Sequence, residues 1–162
     1  MRYTLLFLLF CMMPGWLVLA KPTEQSFDRE AYYVIMATGK IDEINDELLM
    51  LRTVSIKEKE AYEGALLMRK AGLLKKPEEK LKAFKSGRIK LETALIDNND
   101  NAEYRFLRLT IQEHAPRIVK YYKEQNSDSE YIKQVFKNLS PVLQTAIRNY
   151  SKTSKILRPD DF

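Results

Sequence analysis

The sequence predicts an all-α domain, and three observations support that fold class. Apolar residues beyond position 20 recur at intervals of three and four rather than alternating, as in helices with one buried face. Only four glycines occur there, and no segment has the pattern of a β-strand. Short polar connections join the helical segments, which is typical of helical bundles. We therefore expect a compact bundle of seven or eight short helices.

The N-terminus has the pattern of a signal peptide. Arg2 precedes an apolar run at residues 5–13, and small Ala20 stands before the polar residue Lys21. Cleavage is therefore expected between Ala20 and Lys21. An uncleaved membrane anchor is the alternative, but Pro14 interrupts the run and a spanning helix needs about 20 apolar residues. We expect export to the periplasm or the extracellular space, with no stable membrane span after cleavage.

The mature chain is predicted to be one helical domain at residues 21–162, with flexible ends at 21–27 and 156–162. It has 142 residues, which is 162 less 20 and suits a single domain. Cys11, the only cysteine, is removed with the signal peptide, so no disulfide is expected. The formal charge falls from +5 to +4 with the loss of Arg2. This mild excess does not call for a nucleic-acid partner.

The first helices are placed by their end signals. Asp28–Ala37 is predicted as the first helix, closed by Gly39 in a left-handed conformation. Lys40–Arg52 is predicted as the second. Ser55 and Glu58 have the spacing of a capping box, in which each side chain bonds the backbone amide of the other residue. A third helix is expected to begin there and to end at Ala71-Gly72.

The fourth helix is expected to run from Pro77 to Ile96. Proline suits a first helical position because its missing N–H has no partner there, and Glu78 and Glu79 favour the positive end of the helix dipole. The predicted apolar stripe consists of Leu81, Phe84, Leu91 and Leu95.

The segment DNNDNAE, residues 97–103, is either a calcium loop or a corner between two helices. An EF-hand loop needs glycine at position 6 and a bidentate glutamate at position 12. These positions hold Ala102 and Arg108. We interpret the segment as a helix end, a turn and a new cap, with Asn101 or Asp100 as the capping residue.

Three or four further helices are expected. Ala102–Glu113 is predicted as the fifth, ended by Pro116, and a shorter helix is predicted at Arg117–Glu124. Residues 126–128 are interpreted as a turn and cap for the next helix, whose apolar stripe is Ile132, Val135, Phe136 and Leu139. Pro141 starts the last helix, and its inward residues are Leu143, Ala146, Ile147 and Tyr150.

The fourth helix resembles part of a tetratricopeptide repeat. Gly87, Leu91 and Ala94 have the spacing of the small, large and small residues in the second helix of that repeat, and Asn99 stands where the repeat has its helix-ending proline. The resemblance covers one helix and its turn and implies a tight helical hairpin. Gly64, flanked by other small residues, is the expected contact for Gly87. As a whole, the chain is similar to small exported bacterial proteins of unknown function, which implies no activity.

No catalytic, metal-binding or cofactor-binding residue is predicted, and no cofactor is expected. His114 is the only histidine, at the end of a helix, where we expect it to satisfy backbone carbonyls. No second histidine or cysteine of the mature chain completes a zinc site or a nucleophile–base pair. A carboxylate pair assembled from different helices would make the protein an envelope enzyme, which is the alternative from another functional class.

The predicted binding site is a cationic helix face made of Tyr104, Arg105, Arg108 and Gln112. The two arginines lie one turn apart, and guanidinium groups beside an aromatic ring bind carboxylates or phosphates well. The alternative is an ordinary charged face in which these arginines pair with local glutamates. Residues 69–92 are also basic, with nine Lys or Arg against three Glu. Tyrosines and cations at residues 117–123 are interpreted mainly as packing.

The sequence as a whole indicates an exported, non-catalytic helical protein that acts as a protein-protein interaction module. The expected partner is an unidentified protein with acidic groups that pair with the cationic face. The alternatives are the envelope enzyme and a helical pocket for a small apolar ligand, which needs an apolar cavity of several hundred Å³.

Overall fold

The computed structural model describes residues 26–162, in which seven α-helices and three 3₁₀ turns follow one another without a β-strand. The signal peptide and its cleavage between Ala20 and Lys21 lie outside these residues, as do residues 21–25. The helices are α1 (Arg29–Thr38), α2 (Ile41–Thr53), α3 (Lys59–Leu73), α4 (Pro77–Asp97), α5 (Ala102–His114), α6 (Gln125–Val135) and α7 (Pro141–Ser151). The 3₁₀ turns are Arg117–Val119, Phe136–Asn138 and Pro159–Asp161. The predicted all-α helical bundle is confirmed.

Most helix ends follow local signals in the sequence. Gly39 closes α1 in the left-handed conformation, with φ of 64°. Pro77 occupies the first turn of α4. The side chains of Asn101 and Ser140 accept backbone N–H groups at the starts of α5 and α7. The corner at residues 97–103 is therefore a helix end, a turn and a cap, as predicted.

The predicted capping box at Ser55 is wrong. Helix α3 begins at Lys59, and no side-chain hydrogen bond caps its start. The Glu58 carboxylate instead accepts a hydrogen bond from Arg29 Nη2 at 3.1 Å. The Glu58 carboxylate, which a capping box requires, is used instead in an ion pair with Arg29 of α1.

Helices α3 and α4 form a hairpin whose backbones meet at two glycines. A Cβ atom on Gly64 would lie 2.7 Å from the Gly87 carbonyl oxygen, and one on Gly87 would lie 2.5 Å from the Gly64 carbonyl oxygen. Real side-chain carbons do not approach that closely, so the contact requires glycine on both sides. The predicted close approach of these two helices is confirmed.

The buried apolar side chains form two clusters. The larger joins α1 to α5 and contains the fully buried residues Tyr32, Ile44, Leu51, Tyr62, Leu66 and Leu91. The smaller joins α5, α6, α7 and the C-terminal tail, around Phe106, Leu109, Ile132, Ile147 and Leu157. Helix α5 contributes to both clusters. It is therefore the central element of the bundle.

The C-terminal tail packs on the smaller cluster. Leu157 is fully buried, and the ring of Phe162 lies 4.6 Å from that of Phe136. Lys133 Nζ lies 2.9 Å from an Asp161 carboxylate oxygen. Residues 156–162, which the sequence predicts to be flexible, thus have apolar and ionic contacts in the structure.

Three details of the predicted helices are corrected. Arg117–Glu124 is not a helix, because only a 3₁₀ turn forms before Lys120 takes a left-handed conformation with φ of 49°. Residues 126–128 lie inside α6 rather than before it, and the Asp128 side chain, predicted to cap the helix, pairs with Arg108 instead. Leu81, predicted to be buried, is 49% exposed.

No helix within residues 26–162 is both long enough and apolar enough to cross a membrane.

Candidate functional site

The predicted binding residues lie on the central helix α5 and are largely enclosed. Tyr104 and Gln112 are buried, the exposed fraction of Arg108 is only 7%, and Arg105 is mostly covered. Tyr104 belongs to the larger apolar cluster. The open cationic face expected around Arg105 and Arg108 is therefore not present in the structure.

Arg108 forms a bidentate ion pair with Asp128 of α6. Its Nε and Nη2 atoms donate to the two carboxylate oxygens, each at 2.7 Å. A third donor, Nη1, lies 3.2 Å from Glu92 of α4. Burial acts to lower the pKa of Arg108, but the hydrogen bonds and charge of Asp128, together with the charge of Glu92, offset burial and raise it. Arg108 thus connects α4, α5 and α6 while keeping its charge.

Asp128 is the buried partner in this pair. Its side chain has no exposed surface, and burial raises the pKa of this carboxyl even though Arg108 acts in the opposite direction. Arg105 Nη1 lies 3.5 Å away and adds a weaker contact. Two cations therefore face this carboxylate, and its side chain has no surface exposed to an outside ligand.

Arg105 and Gln112 also have internal partners. Arg105 donates through Nε to the Asn99 carbonyl at 2.7 Å, and its guanidinium lies 4.3 Å from the centre of the Tyr131 ring. Gln112 donates to Glu124 at 2.7 Å, and its own buried carbonyl oxygen has no hydrogen-bond partner in the described part of the chain. These contacts fix α6 and the segment before it on α5.

A second polar cluster surrounds Glu103 at the other side of α5. Its Oε1 accepts hydrogen bonds from the hydroxyls of Tyr33 and Tyr62, each at 2.7 Å. Burial, followed by the charge of Glu103, raises the pKa of both tyrosines. Arg29 lies 3.8 Å from Glu103 and also pairs with Glu58. The cluster connects α1, α3 and α5.

Two open clefts of about 310 Å³ each border these polar clusters. The first is lined in part by Phe27, Arg29 and Glu58. The second is lined in part by Glu92 and Arg108. Charged groups thus face both clefts.

Glu47 of α2 is the one carboxylate that combines deep burial with an unpartnered oxygen within residues 26–162. Its Oε1 accepts no hydrogen bond, and its side chain is more than nine-tenths buried. Burial, and then the negative charge of Asp28, raise the pKa of Glu47. This carboxyl is therefore a source of instability when it is ionised.

The end of α5 attaches the C-terminal tail. His114 Nδ1 lies 3.0 Å from the Thr110 carbonyl oxygen, as expected for a histidine that satisfies a helix-end carbonyl. The neighbouring Glu113 accepts hydrogen bonds from Tyr150, Ser154 and the Lys155 amide. Burial acts to raise the pKa of Glu113, but these hydrogen bonds offset burial and lower it. His114 contributes to structure in this arrangement.

The most distinctive accessible surface lies on α4, opposite its contact with α3. Three apolar side chains project from it, with exposed fractions of 49% for Leu81, 68% for Ile89 and 81% for Ile96. Lys82 and Lys85 are exposed between them. We call these five residues the α4 face. Exposed apolar residues beside unpaired charges indicate a binding surface more strongly than either feature does alone.

The lysines of the α4 face have no partner of opposite charge. Among residues 26–162, neither Lys82 nor Lys85 lies within 4.0 Å of a carboxylate, whereas Lys76 and Lys90 on the same hairpin are paired. The positive charge of the face is therefore open to solvent.

A basic segment, residues 117–123, lies beside the α4 face. Tyr121 anchors it, with its ring 5.8 Å from that of Phe84 and its hydroxyl bonded to Glu92. Arg88 lies 4.9 Å from the centre of the Tyr121 ring. The predicted packing role of Tyr121 is confirmed. The exposed residues of this segment, Arg117, Ile118, Lys120, Tyr122 and Lys123, extend the basic and apolar surface.

Sequence reasoning identified the charge of this region but not the face. It placed Leu81 in the buried stripe and did not single out Ile89 or Ile96. One signal was available: on a helical projection Ile89 points away from the row of Phe84, Leu91 and Leu95. An apolar residue off the buried row is a candidate for a contact outside the domain.

No group of three or more His, Cys, Asp or Glu side chains suited to hold a metal ion occurs in residues 26–162. No protein-family model, curated protein or solved structure matches this chain.

Proposed function

We propose that this protein is an exported, non-catalytic helical module that binds an acidic partner protein through the α4 face. The observation that carries the proposal is the combination of three exposed apolar side chains with two unpaired lysines on one side of α4. Interfaces commonly use apolar contacts for affinity and complementary charge for orientation and on-rate.

The location of the face supports this function. Helix α4 packs closely on α3 through the glycine contact, and the α4 face lies on the other side of the helix. The neighbouring cations of residues 117–123 enlarge the positive surface without adding a carboxylate. An acidic partner is favoured because the lysines of the face gain opposite charges that residues 26–162 do not give them.

Export is part of the proposal and rests on the sequence pattern of residues 1–20. A periplasmic or extracellular location follows from cleavage before Lys21. Its test is N-terminal sequencing of the protein purified from its own cells, with Lys21 as the expected first residue. An N-terminus at Met1 on protein recovered from the cytoplasm would contradict it.

The binding proposal is tested by crosslinking capture from the native cell envelope. The bait is the chain from Lys21, beside a variant with Lys82→Glu and Lys85→Glu. Both lysines are exposed and unpaired, so the variant is expected to fold normally, which circular dichroism checks. A saturable partner captured by the parent chain and lost by this variant is the expected result.

The matched control reverses two exposed lysines elsewhere, Lys137→Glu with Lys155→Glu. It changes the net charge by the same amount but leaves the α4 face intact, so the partner is expected to remain bound. Equal loss of binding in both variants would contradict the proposed site, because net charge rather than the α4 face would then control the interaction.

A further inference from the structure

We infer that the C-terminal tail, residues 152–162, is a strap that acid releases from the bundle before the helices themselves unfold. The tail follows α7 and packs on the smaller apolar cluster. An ionised carboxylate holds it near each end. The inference concerns α5, α6, α7 and the tail, and it does not depend on the α4 face.

The start of the tail is held by Glu113, near the end of α5. One carboxylate oxygen accepts a hydrogen bond from the Ser154 hydroxyl at 2.7 Å, and the other accepts one from the Lys155 amide. The Tyr150 hydroxyl of α7 donates to the same carboxylate at 2.7 Å. Burial acts to raise the pKa of Glu113, but these hydrogen bonds, with the charge of His114, offset burial and lower it. The ionised form of Glu113 is therefore the one that holds the tail.

The end of the tail is held by Asp161. One of its carboxylate oxygens accepts a hydrogen bond from the Arg158 amide at 2.8 Å and lies 2.9 Å from Lys133 Nζ of α6. The Arg158 amide, followed by the hydrogen bond and charge of Lys133, lowers the pKa of Asp161. The attachment to α6 therefore also depends on an ionised carboxylate.

The apolar contacts of the tail are few. Leu157 is the only fully buried residue among residues 152–162, and Phe162 is partly covered by its contact with Phe136. Six of the eleven tail residues are exposed. The two carboxylates therefore supply a large part of the attachment.

Acid is expected to act on the tail before it acts on the helices. A carboxyl with a lowered pKa stabilises the fold while it is ionised, and this stabilisation is lost as the pH falls from about 4 through the lowered value. The tail has such a group near each end. The helices are held mainly by two clusters of apolar side chains, which gain no charge in acid. Loss of both carboxylate charges thus opens the tail as a local unit.

The test follows the tail and the helices separately as the pH falls. The chain from Lys21 contains no tryptophan, because Trp16 is the only one in the sequence. Phe162→Trp therefore places a single fluorophore on the tail, while far-ultraviolet circular dichroism reports the helices. We expect the tryptophan emission to move to longer wavelength at a pH about one unit above the loss of the helical signal. Coincident transitions, or an emission unchanged from neutral pH to strong acid, would overturn the inference.

The unmodified chain from Lys21 provides a second measurement by NMR. The Lys155 amide proton, which is donated to Glu113, and the Leu157 methyl groups report the tail, and the methyl groups of the fully buried Leu51 report the larger cluster. The tail resonances are expected to change at a pH where those of Leu51 do not. Simultaneous change of all these resonances would overturn the inference without any substitution in the tail.

Variants locate the groups that acid neutralises. Glu113→Gln with Asp161→Asn keeps the shape of both side chains without their charge, so in the Phe162→Trp chain its emission at neutral pH should match that of the parent in acid. The matched control is Glu43→Gln on α2, because Glu43 pairs with Lys40, whose hydrogen bond lowers the pKa of this carboxyl too. The control should keep the parent emission and transition. Equal changes in both variants, or in neither, would overturn the role of the two tail carboxylates.

Discussion

The contact between α3 and α4 and the contact between α5 and α6 are built on opposite principles. The first is closed by Gly64 and Gly87, whose backbones touch. The second centres on the buried ion pair of Arg108 and Asp128. Ion pairs occur at the first contact too, but those of Lys90 are partly exposed and lie at its edge.

The two contacts therefore respond differently to substitution, salt and pH. A steric contact is lost when a methyl group is added, but it is indifferent to salt and pH. A buried ion pair is lost when either partner is neutralised, because the other charge is left without compensation. Helix α4 is held in part by the steric contact with α3, which does not depend on salt or pH, and in part by the ion pair of Glu92 with Arg108.

The largest effect is expected from breaking the ion pair. Arg108→Met leaves the fully buried Asp128 carboxylate without its bidentate partner, and the free energy of unfolding should fall by about 3–5 kcal/mol. Chemical denaturation at neutral pH measures it. The double variant with Asp128→Leu should recover much of that loss, because it removes both charges together. A double variant as unstable as Arg108→Met would contradict this account of the α5–α6 contact.

The next effect is expected at the steric contact. Gly64→Ala places a Cβ atom against the Gly87 carbonyl and the Leu91 amide, each at 2.7 Å, so the two helices must separate. We expect a loss of about 2–3 kcal/mol, the same at low and high salt. Gly72→Ala is the matched control, because no atom of residues 26–162 lies within 4 Å of a Cβ atom there. Its stability should be unchanged or slightly higher. Equal losses in both variants would contradict the steric explanation.

The smallest effect is a gain in stability, which we expect when Glu47 loses its charge. Burial and Asp28 raise the pKa of Glu47 in the folded chain, so folding favours its protonated form and stability falls as the pH rises above about 4.3, the ordinary value for glutamate. Glu47→Gln removes the charge and should stabilise the protein by about 1 kcal/mol at pH 7. The gain should disappear at pH 4 and below. A gain that is independent of pH would show that ionisation of Glu47 is not its cause.

Local signals explain how much of the fold could be predicted from the sequence. Gly39, Pro77, Asn101 and Ser140 act on their own helix ends, so the helix boundaries they define are correct to about a residue. The approach of Gly64 to Gly87 was also predicted, because small residues on two adjacent helices allow the helices to pack closely.

The remaining features depend on residues distant in sequence. Asp128 is 20 residues from Arg108, and no local sequence pattern at either residue predicts that they pair. The same applies to Glu58, whose carboxylate pairs with the distant Arg29 instead of forming a capping box with Ser55. Charged residues that look like a surface site in sequence can therefore be internal connections. The residues predicted to bind on α5, among them Arg105 and Arg108, are mostly covered by internal contacts, which no local pattern predicts.

Photocrosslinking from the α4 face in native cells tests directly whether this face binds an acidic partner. A photoreactive amino acid replaces Ile89 in one variant and Leu49, on α2, in the other. We predict a protein adduct at position 89 that disappears with Lys82→Glu and Lys85→Glu, and no such adduct at position 49. The same adduct at both positions, or an adduct at 89 that persists after charge reversal, would contradict the claim that the α4 face binds an acidic partner.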